Sequence, residues 1–237
     1  MQQTIAPIEH AVQQFLDRKS YSRESFESEI ALAEQITITA PAGAGKTSLL
    51  NGLQAKLPTH MFVSAGRDIM RPKAKELGIS IEEFAKLCEN PECNYDRECD
   101  GQLHRASIAH PRLVVESRLA HCAIPNGYHV KLACSLGLRT SRRFIDLRAK
   151  ASDIVYSEVF NDLRNRDCGD AARLTSLYPG CLWEEEDYDL VISTERSSPQ
   201  KVVEYVLRGY AEWRAYSIEQ RLAHWQEQRS RREIVVA

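Results

Sequence analysis

The segment Ala40-Pro41-Ala42-Gly43-Ala44-Gly45-Lys46-Thr47 constrains this chain more than any other. It follows the β-branched run Gln35-Ile36-Thr37-Ile38-Thr39 and leads into leucines at positions 49, 50, 53 and 57, which share one helical face. A strand, a glycine-rich turn and a helix in that order place successive backbone N–H groups around an anion. The segment meets the pattern G-x-x-x-x-G-K-[ST] at three of its four defined positions, with Ala40 where the first glycine would stand. Each residue type has a chemical reason. Glycines let amides approach phosphate oxygens, a lysine reaches the β- and γ-phosphates, and a threonine hydroxyl ligates Mg2+. Residues 40–47, together with Ser48, are therefore the expected ATP-binding loop, with Thr47 the expected magnesium ligand. Ala40 is free of strain there only if it avoids φ > 0.

Further apolar runs at Met61–Ser64, Arg112–Glu116, His129–Cys134 and Tyr188–Ser193 are predicted strands. Residues 68–110 read as several short helices, Leu138–Lys150 as a basic helix, and Pro199 to about Gln228 as a long one. Short apolar strands alternating with helices predict an α/β fold in three layers, a five-stranded parallel sheet covered on both faces. Ligands on such sheets bind outside the carboxyl ends of the strands. Before the first strand, Ile8, Val12, Phe15 and Leu16 share a helical face, so residues 1–34 read as an N-terminal helical extension. Residues 35–208 form the expected sheet domain, and 209–237 a C-terminal helical extension. The stripe of Tyr210, Trp213 and Leu222 is where the N-terminal helices or a second copy would pack, so a homodimer through the terminal helices is an expected arrangement.

Composition narrows the partners. Lys+Arg 31 against Asp+Glu 33 leaves a formal charge of -2, so no global basic field is available for nucleic acid. No run approaches the length of a membrane span, and no membrane partner is expected. Seven cysteines without a secretory signal read as reduced thiols in a cytoplasmic protein. Cys88, Cys93 and Cys99, with His104 nearby, lack the paired two-residue spacing of a zinc site and read as ordinary thiols. The basic helix with Arg139, Arg142, Arg143 and Arg148 reads as a solvated or nucleotide-flanking face, and Glu184–Asp187 as a solvated acidic turn.

Several stretches downstream of the loop carry a resemblance in their order. These are Ser64-Ala65-Gly66 with Ile69-Met70-Arg71, Gly78-Ile79-Ser80-Ile81-Glu82-Glu83-Phe84, and Asn90-Pro91-Glu92 with Asp96-Arg97-Glu98-Cys99-Asp100. Glu116-Ser117-Arg118-Leu119-Ala120-His121 follows, then Arg166 and Arg173 with acids between them, and finally Tyr188–Ile192 and Ser198–Val203. Over roughly residues 35–208 the chain resembles the cytidylate kinases of the nucleoside monophosphate kinase family, above all the archaeal-type subgroup. The resemblance implies a P-loop kinase fold with a helical acceptor-binding segment at about 65–110 and a helical lid at about 151–175. It implies transfer of the γ-phosphoryl group of Mg·ATP to CMP or dCMP, with small-molecule nucleotides as the partners.

The chemistry gives each candidate a part. Phosphoryl transfer needs alignment, charge neutralisation and exclusion of water. Lys46, Arg118, Arg166 and Arg173 are the expected catalytic cations. Arg118 follows a strand's carboxyl end, and its planar fork suits a phosphate; the competing reading pairs it with Glu116 at the surface. Arg166 and Arg173 are two helical turns apart and would point the same way. Ser64, Arg71, Asp100, Gln102 and Arg118 are the expected acceptor-binding residues; cytosine's amino group calls for a carboxylate or carbonyl acceptor. No general base is expected, because phosphate acceptors are already ionised near neutral pH. The chain departs from the family at Ala40, at Ser117 and His121, which stand for glycines and would narrow the acceptor pocket, and at Asp167-Cys168-Gly169-Asp170 in the lid. One residue more than the family shows separates Ser64–Gly66 from Ile69–Arg71. Two other functions stay open at this point: a kinase with a non-nucleotide acceptor, and a nucleotide-binding regulatory protein that has lost transfer.

Overall fold

The computed structural model describes residues 34–90, 93–124, 127–177, 188–217, 219–221 and 223. The expected N-terminal helices, the acidic turn at 184–187 and Leu222 lie outside the described residues. The elements run β1 (Glu34–Thr39), α1 (Lys46–Lys56), β2 (Met61–Ser64), a π-helical turn (Ala65–Met70), α2 (Arg71–Glu76), α3 (Ile81–Cys88) and α4 (Tyr95–Ala109). They continue with β3 (Arg112–Glu116), α5 (Ala120–Ala123), β4 (Tyr128–Ala133), α6 (Leu136–Arg148), α7 (Tyr156–Leu177), β5 (Leu190–Ser193) and α8 (Pro199–Ala215).

The five strands form one parallel sheet in the order β2-β3-β1-β4-β5. The central strand is β1, with Ile36 opposite Val114 and Tyr128, and Ile38 opposite Glu116 and Val130. Both faces of β1 are covered, which is why its β-branched run is buried without alternation. On one face, Leu49, Leu50 and Leu53 of α1 and Val202, Val203, Val206, Tyr210 and Trp213 of α8 pack with Ile36, Ile38, Val114 and Val130. On the other, Cys99 and Leu103 of α4 and Ala120 and Ala123 of α5 pack with Val63, Leu113 and Val115. A smaller core joins Ala74, Phe84 and Cys88. It shapes the α2–α4 segment, while α6 and α7 pack against each other.

Several boundaries differ from the sequence reading, two of them for a reason that local side chains and backbone show; the basic helix, for one, runs Leu136–Arg148 instead of Leu138–Lys150. The last strand starts at Leu190 because the Asp189 carboxylate accepts the His129 N–H at 2.7 Å, a side chain standing where ladder pairing would continue. The fourth strand runs Tyr128–Ala133, one residue earlier than expected. The final helix ends at Ala215 instead of continuing to about 228, because Tyr216 turns to an extended backbone at φ -65, ψ 137. Ser217 and Gln220 then exchange capping hydrogen bonds of 2.7 and 3.2 Å and start a new turn. The helix crosses position 208 unbroken, and Tyr210 and Trp213 stack beside Tyr128 within the chain, so this part of the apolar stripe is already covered. Among the described residues no helix is long and apolar enough to cross a membrane.

Candidate active site

The loop after β1 takes its shape from two left-handed glycines, Gly43 at φ 80 and Gly45 at φ 96. A side chain at 43 would also be crowded, since its Cβ would sit 3.1 Å from the Cβ of Arg139. Among the described residues no non-glycine residue has positive φ, so Ala40 occupies ordinary backbone and the lost glycine carries no strain. Gly45 is the N-cap of α1 and offers no side chain to its first amides, leaving the positive end of the helix directed at the loop. Thr47 and Ser48 lie exposed in the first turn.

Lys46 reaches back over the loop. Its Nζ donates to the Ala40 carbonyl at 3.0 Å and pairs with Glu116 Oε1 at 3.1 Å. The second oxygen of Glu116 accepts from the Ser64 hydroxyl at 2.6 Å. Burial pulls the Lys46 ammonium below the usual lysine range; Glu116 opposes this, while Arg118 and Arg166 reinforce it. Arg118 donates from Nη1 to the same Ala40 carbonyl at 2.7 Å, and its Nη2 pairs with Asp170 of α7 at 2.7 Å. The reading that paired Arg118 with Glu116 is therefore corrected: Glu116 serves Lys46 and Ser64, and Asp170 serves Arg118. The other Asp170 oxygen accepts from Arg173 at 3.1 Å, and Arg173 Nε pairs with Asp96 of α4 at 2.8 Å. A line of alternating charge thus runs from the loop through α7 to α4.

The expected lid is helical throughout its second half, which puts Arg166 and Arg173 on one continuous helix. Arg166 is exposed at the cleft, where partial desolvation and the Arg118 cation draw its pKa down; Asp170 and Asp167 oppose this and Arg71 adds to it. Arg118 and Arg166 thus both act on Lys46, and Arg71 acts on Arg166. Of the acceptor-binding candidates, Ser64 reaches Lys46 through Glu116, while Asp100 and Gln102 sit on α4. Ser64 is buried, engaged with Glu116, and also accepts from the Arg67 amide at 3.4 Å. Asp100 is buried on α4. Gln102 is exposed on the same helix and lines a cleft of about 270 Å³ with Asp68, Met70, Phe84 and Tyr95.

Neither substituted glycine position narrows the cleft in the way the sequence suggests. Ser117 turns back to accept the Leu119 N–H at 3.1 Å, and His121 is fully buried with its ring 4.8 Å from that of Tyr188. The sequence reading named Glu116, Asp96 and Asp170 within its motifs but gave none of them a catalytic or binding role. For Glu116 a signal was present: an acid closing the apolar run Leu113-Val114-Val115, on a strand that ends beside the phosphate loop. The basic helix also divides. Arg143 and Arg148 are exposed, whereas Arg139 and Arg142 turn inward onto the loop and onto Thr194.

A glycine-rich loop at the middle of a parallel sheet, its carbonyls met by Lys46, Arg118 and Arg139, is the arrangement of a nucleotide-binding phosphotransferase of the P-loop kinase class. The sequence is 34% identical over 168 residues to a cytidylate kinase of Pyrococcus abyssi, covering 70% of this chain and 88% of that protein. It is 30% identical over 181 residues to a cytidylate kinase of Natronomonas pharaonis, covering 74% and 90%. The chain belongs to the cytidylate kinase family. No family model matches the sequence. Among solved structures, an uncharacterized protein from Eubacterium ventriosum superposes with a TM-score of 0.55 at 13% identity, over 75% of this chain and 98% of that one, a likeness of fold.

Proposed function

We propose that this chain transfers the γ-phosphoryl group of ATP to CMP or dCMP. The observation that carries the proposal is the meeting of Lys46 and Arg118 on the Ala40 carbonyl of the phosphate loop, each also paired with a carboxylate, Glu116 and Asp170. A carboxylate on two arginines offers two oxygens as a phosphate does, and Asp170 bridges Arg118 and Arg173 in this manner. The acceptor phosphate would take the place of Asp170 on Arg118.

The donor phosphates would lie against the amides of the loop and the first turn of α1, with Lys46 on the β- and γ-phosphates. The exposed Thr47 hydroxyl at the loop's mouth fits a magnesium ion that also binds phosphate oxygens, and such an ion would neutralise charge on the donor. An oxygen of the acceptor monophosphate forms a bond to the γ-phosphorus, the bond to the β–γ bridging oxygen breaks, and ADP leaves with that electron pair. The acceptor is already ionised, so the residues supply alignment and charge. Arg166 and Arg173 would approach the transferring group from the lid. The cleft lined by Asp68 and Gln102 offers oxygen acceptors suited to the amino group of cytosine.

The non-catalytic alternative draws on the departures, and the geometry weakens it: Ala40 is unstrained and Ser117 caps its own turn. Release of ADP, followed with a panel of nucleoside monophosphates and with small polyols, decides between the readings. Turnover at least about tenfold faster with CMP and dCMP than with the other acceptors is expected, a discrimination of about 1.4 kcal/mol. Turnover confined to a polyol would replace the acceptor. ATP binding with no acceptor turned over would return the regulatory reading.

A further inference from the structure

Arg139 takes no part in the proposed transfer, yet it is among the most enclosed charges of the described residues, with 6% of its side chain exposed. It lies in the first turn of α6, and its guanidinium reaches three separate elements. Nε donates to the Cys134 carbonyl at the end of β4 at 3.1 Å. Nη1 donates to the Ala42 carbonyl in the phosphate loop at 3.1 Å. Nη2 pairs with Asp167 of the lid helix at 2.5 Å. Its own backbone and Cβ lie beside Gly43, where a methyl group would be crowded at 3.1–3.4 Å.

A trans peptide is planar, so the carbonyl of one residue and the N–H of the next point in opposite directions. Holding the Ala42 oxygen toward Arg139 therefore turns the Gly43 N–H the other way. The same device recurs two residues on. Arg142 donates to Thr194 Oγ1 at 3.2 Å, and that hydroxyl donates to the Ala44 carbonyl at 3.1 Å, which orients the Gly45 N–H. Glycines at 43 and 45 have little steric preference of their own, so these two peptides would otherwise rotate at small cost. Only a planar fork with several donors can hold a strand end, a loop carbonyl and a lid carboxylate at once.

We infer that Arg139 is a positioning residue that fixes the Ala42–Gly43 peptide for the donor phosphates and, through Asp167, joins that peptide to the lid helix carrying Arg166. Loop and lid then form one mechanical unit. This rests on the donor-site reading above, and the experiment separates the two. Three variants are compared with the unaltered protein: Arg139→Lys, Arg139→Ala and Asp167→Asn, with Lys46→Ala as the donor-site control. Each is measured by calorimetric ATP binding without acceptor, by kcat and acceptor KM with CMP, and by thermal melting.

Arg139→Lys should weaken ATP binding by at least about tenfold while melting near the unaltered protein, since a lysine keeps the charge but cannot bridge three acceptors. Asp167→Asn should leave ATP binding within about twofold and lower kcat by at least about fivefold, the smaller end of measured couplings between sites. In the Arg139→Ala background Asp167→Asn should add nothing further. If Arg139→Ala fails to fold, the lysine and asparagine variants carry the test alone. ATP binding unchanged in Arg139→Lys would overturn the peptide lock, and full kcat in Asp167→Asn would overturn the link to the lid. Unimpaired binding and turnover in Lys46→Ala would instead overturn the donor-site reading, whatever Arg139 does.

Discussion

Glu116 holds the site together with one carboxylate, one oxygen on Lys46 and the other on Ser64. Glu116→Gln keeps a group of the same shape and removes the charge facing the lysine. Turnover should fall by about 10²-fold, the scale for one preorganised charge, with the melting temperature little changed; steady-state kinetics and a melt check both. Ala40 asks the opposite question. Its backbone is unstrained, so Ala40→Gly gains nothing from relief and only loosens the unfolded chain. A loss of stability of no more than about 1 kcal/mol in urea unfolding is expected, with ATP affinity near its original value. Burial pushes the Asp96 carboxyl above its ordinary value of 3.8, against the pull of Arg173 and with the aid of Asp170. A folded-state value above the unfolded one gives a contribution that is complete below that ordinary value and is lost as pH rises through the folded one. Asp96→Asn does not titrate, so its stability relative to the unaltered protein should rise with pH across this window. Urea midpoints at about pH 4 and about pH 7 check the sign, and a difference that falls with pH would refute it. None of these pairings is visible in the sequence, because Lys46, Ser64, Glu116, Asp96 and Asp170 come from five elements far apart in the chain. What is visible is the loop itself, whose chemistry is contained in consecutive residues 40–47.

At the scale of elements, the strands were legible because apolar β-branched runs buried on both faces leave few other structures open. The ends were less so, since a capping pair such as Ser217 and Gln220 or a side chain such as Asp189 decides them. The extra residue between Ser64–Gly66 and Ile69–Arg71 has a structural counterpart in the π-helical turn at Ala65–Met70, where the Arg71 N–H reaches back to the Gly66 carbonyl. A π-turn absorbs one residue without disturbing the elements on either side. Arg71 thereby still acts on Arg166. The contact between α1 and α8 is tighter than the leucine pattern suggests. A Cβ on Gly52 would lie 2.4 Å from Val203 Cγ2, and a β-branched side chain has little freedom to retreat. Gly52→Ala should cost about 1–3 kcal/mol of overpacking, more than the roughly 1 kcal/mol an alanine returns in helix propensity. Adding Val203→Ala should recover part of the loss in urea unfolding. Equal loss in the single and double variants would show that the two side chains do not meet.

For the molecule as a whole, a formal charge of -2 hides a strongly uneven distribution, with cations gathered at the carboxyl ends of β1 and β3 and on the lid. That gathering rests on the order β2-β3-β1-β4-β5, which sets β3 beside the strand that carries the loop. Strand order is a property of pairing between distant segments, so it could be expected from the resemblance but not read from any one run of residues. Ligand binding to this arrangement stabilises the folded state by mass action. ATP at about 100 times its Kd should add about 2.7 kcal/mol and raise the melting temperature by several degrees, and Lys46→Ala should abolish most of that shift. An unchanged shift in the lysine variant would place the nucleotide elsewhere. One oxygen, finally, is common to both halves of the molecule. The Ala40 carbonyl receives Lys46 from α1 and Arg118 from the turn after β3, the donor-side and acceptor-side cations of the proposed reaction. Departure of either cation toward a substrate alters the polarisation of the same bond. An isotopic label in that carbonyl would shift its infrared band once for each departure, so a single vibration would record the filling of two different sites as separate steps.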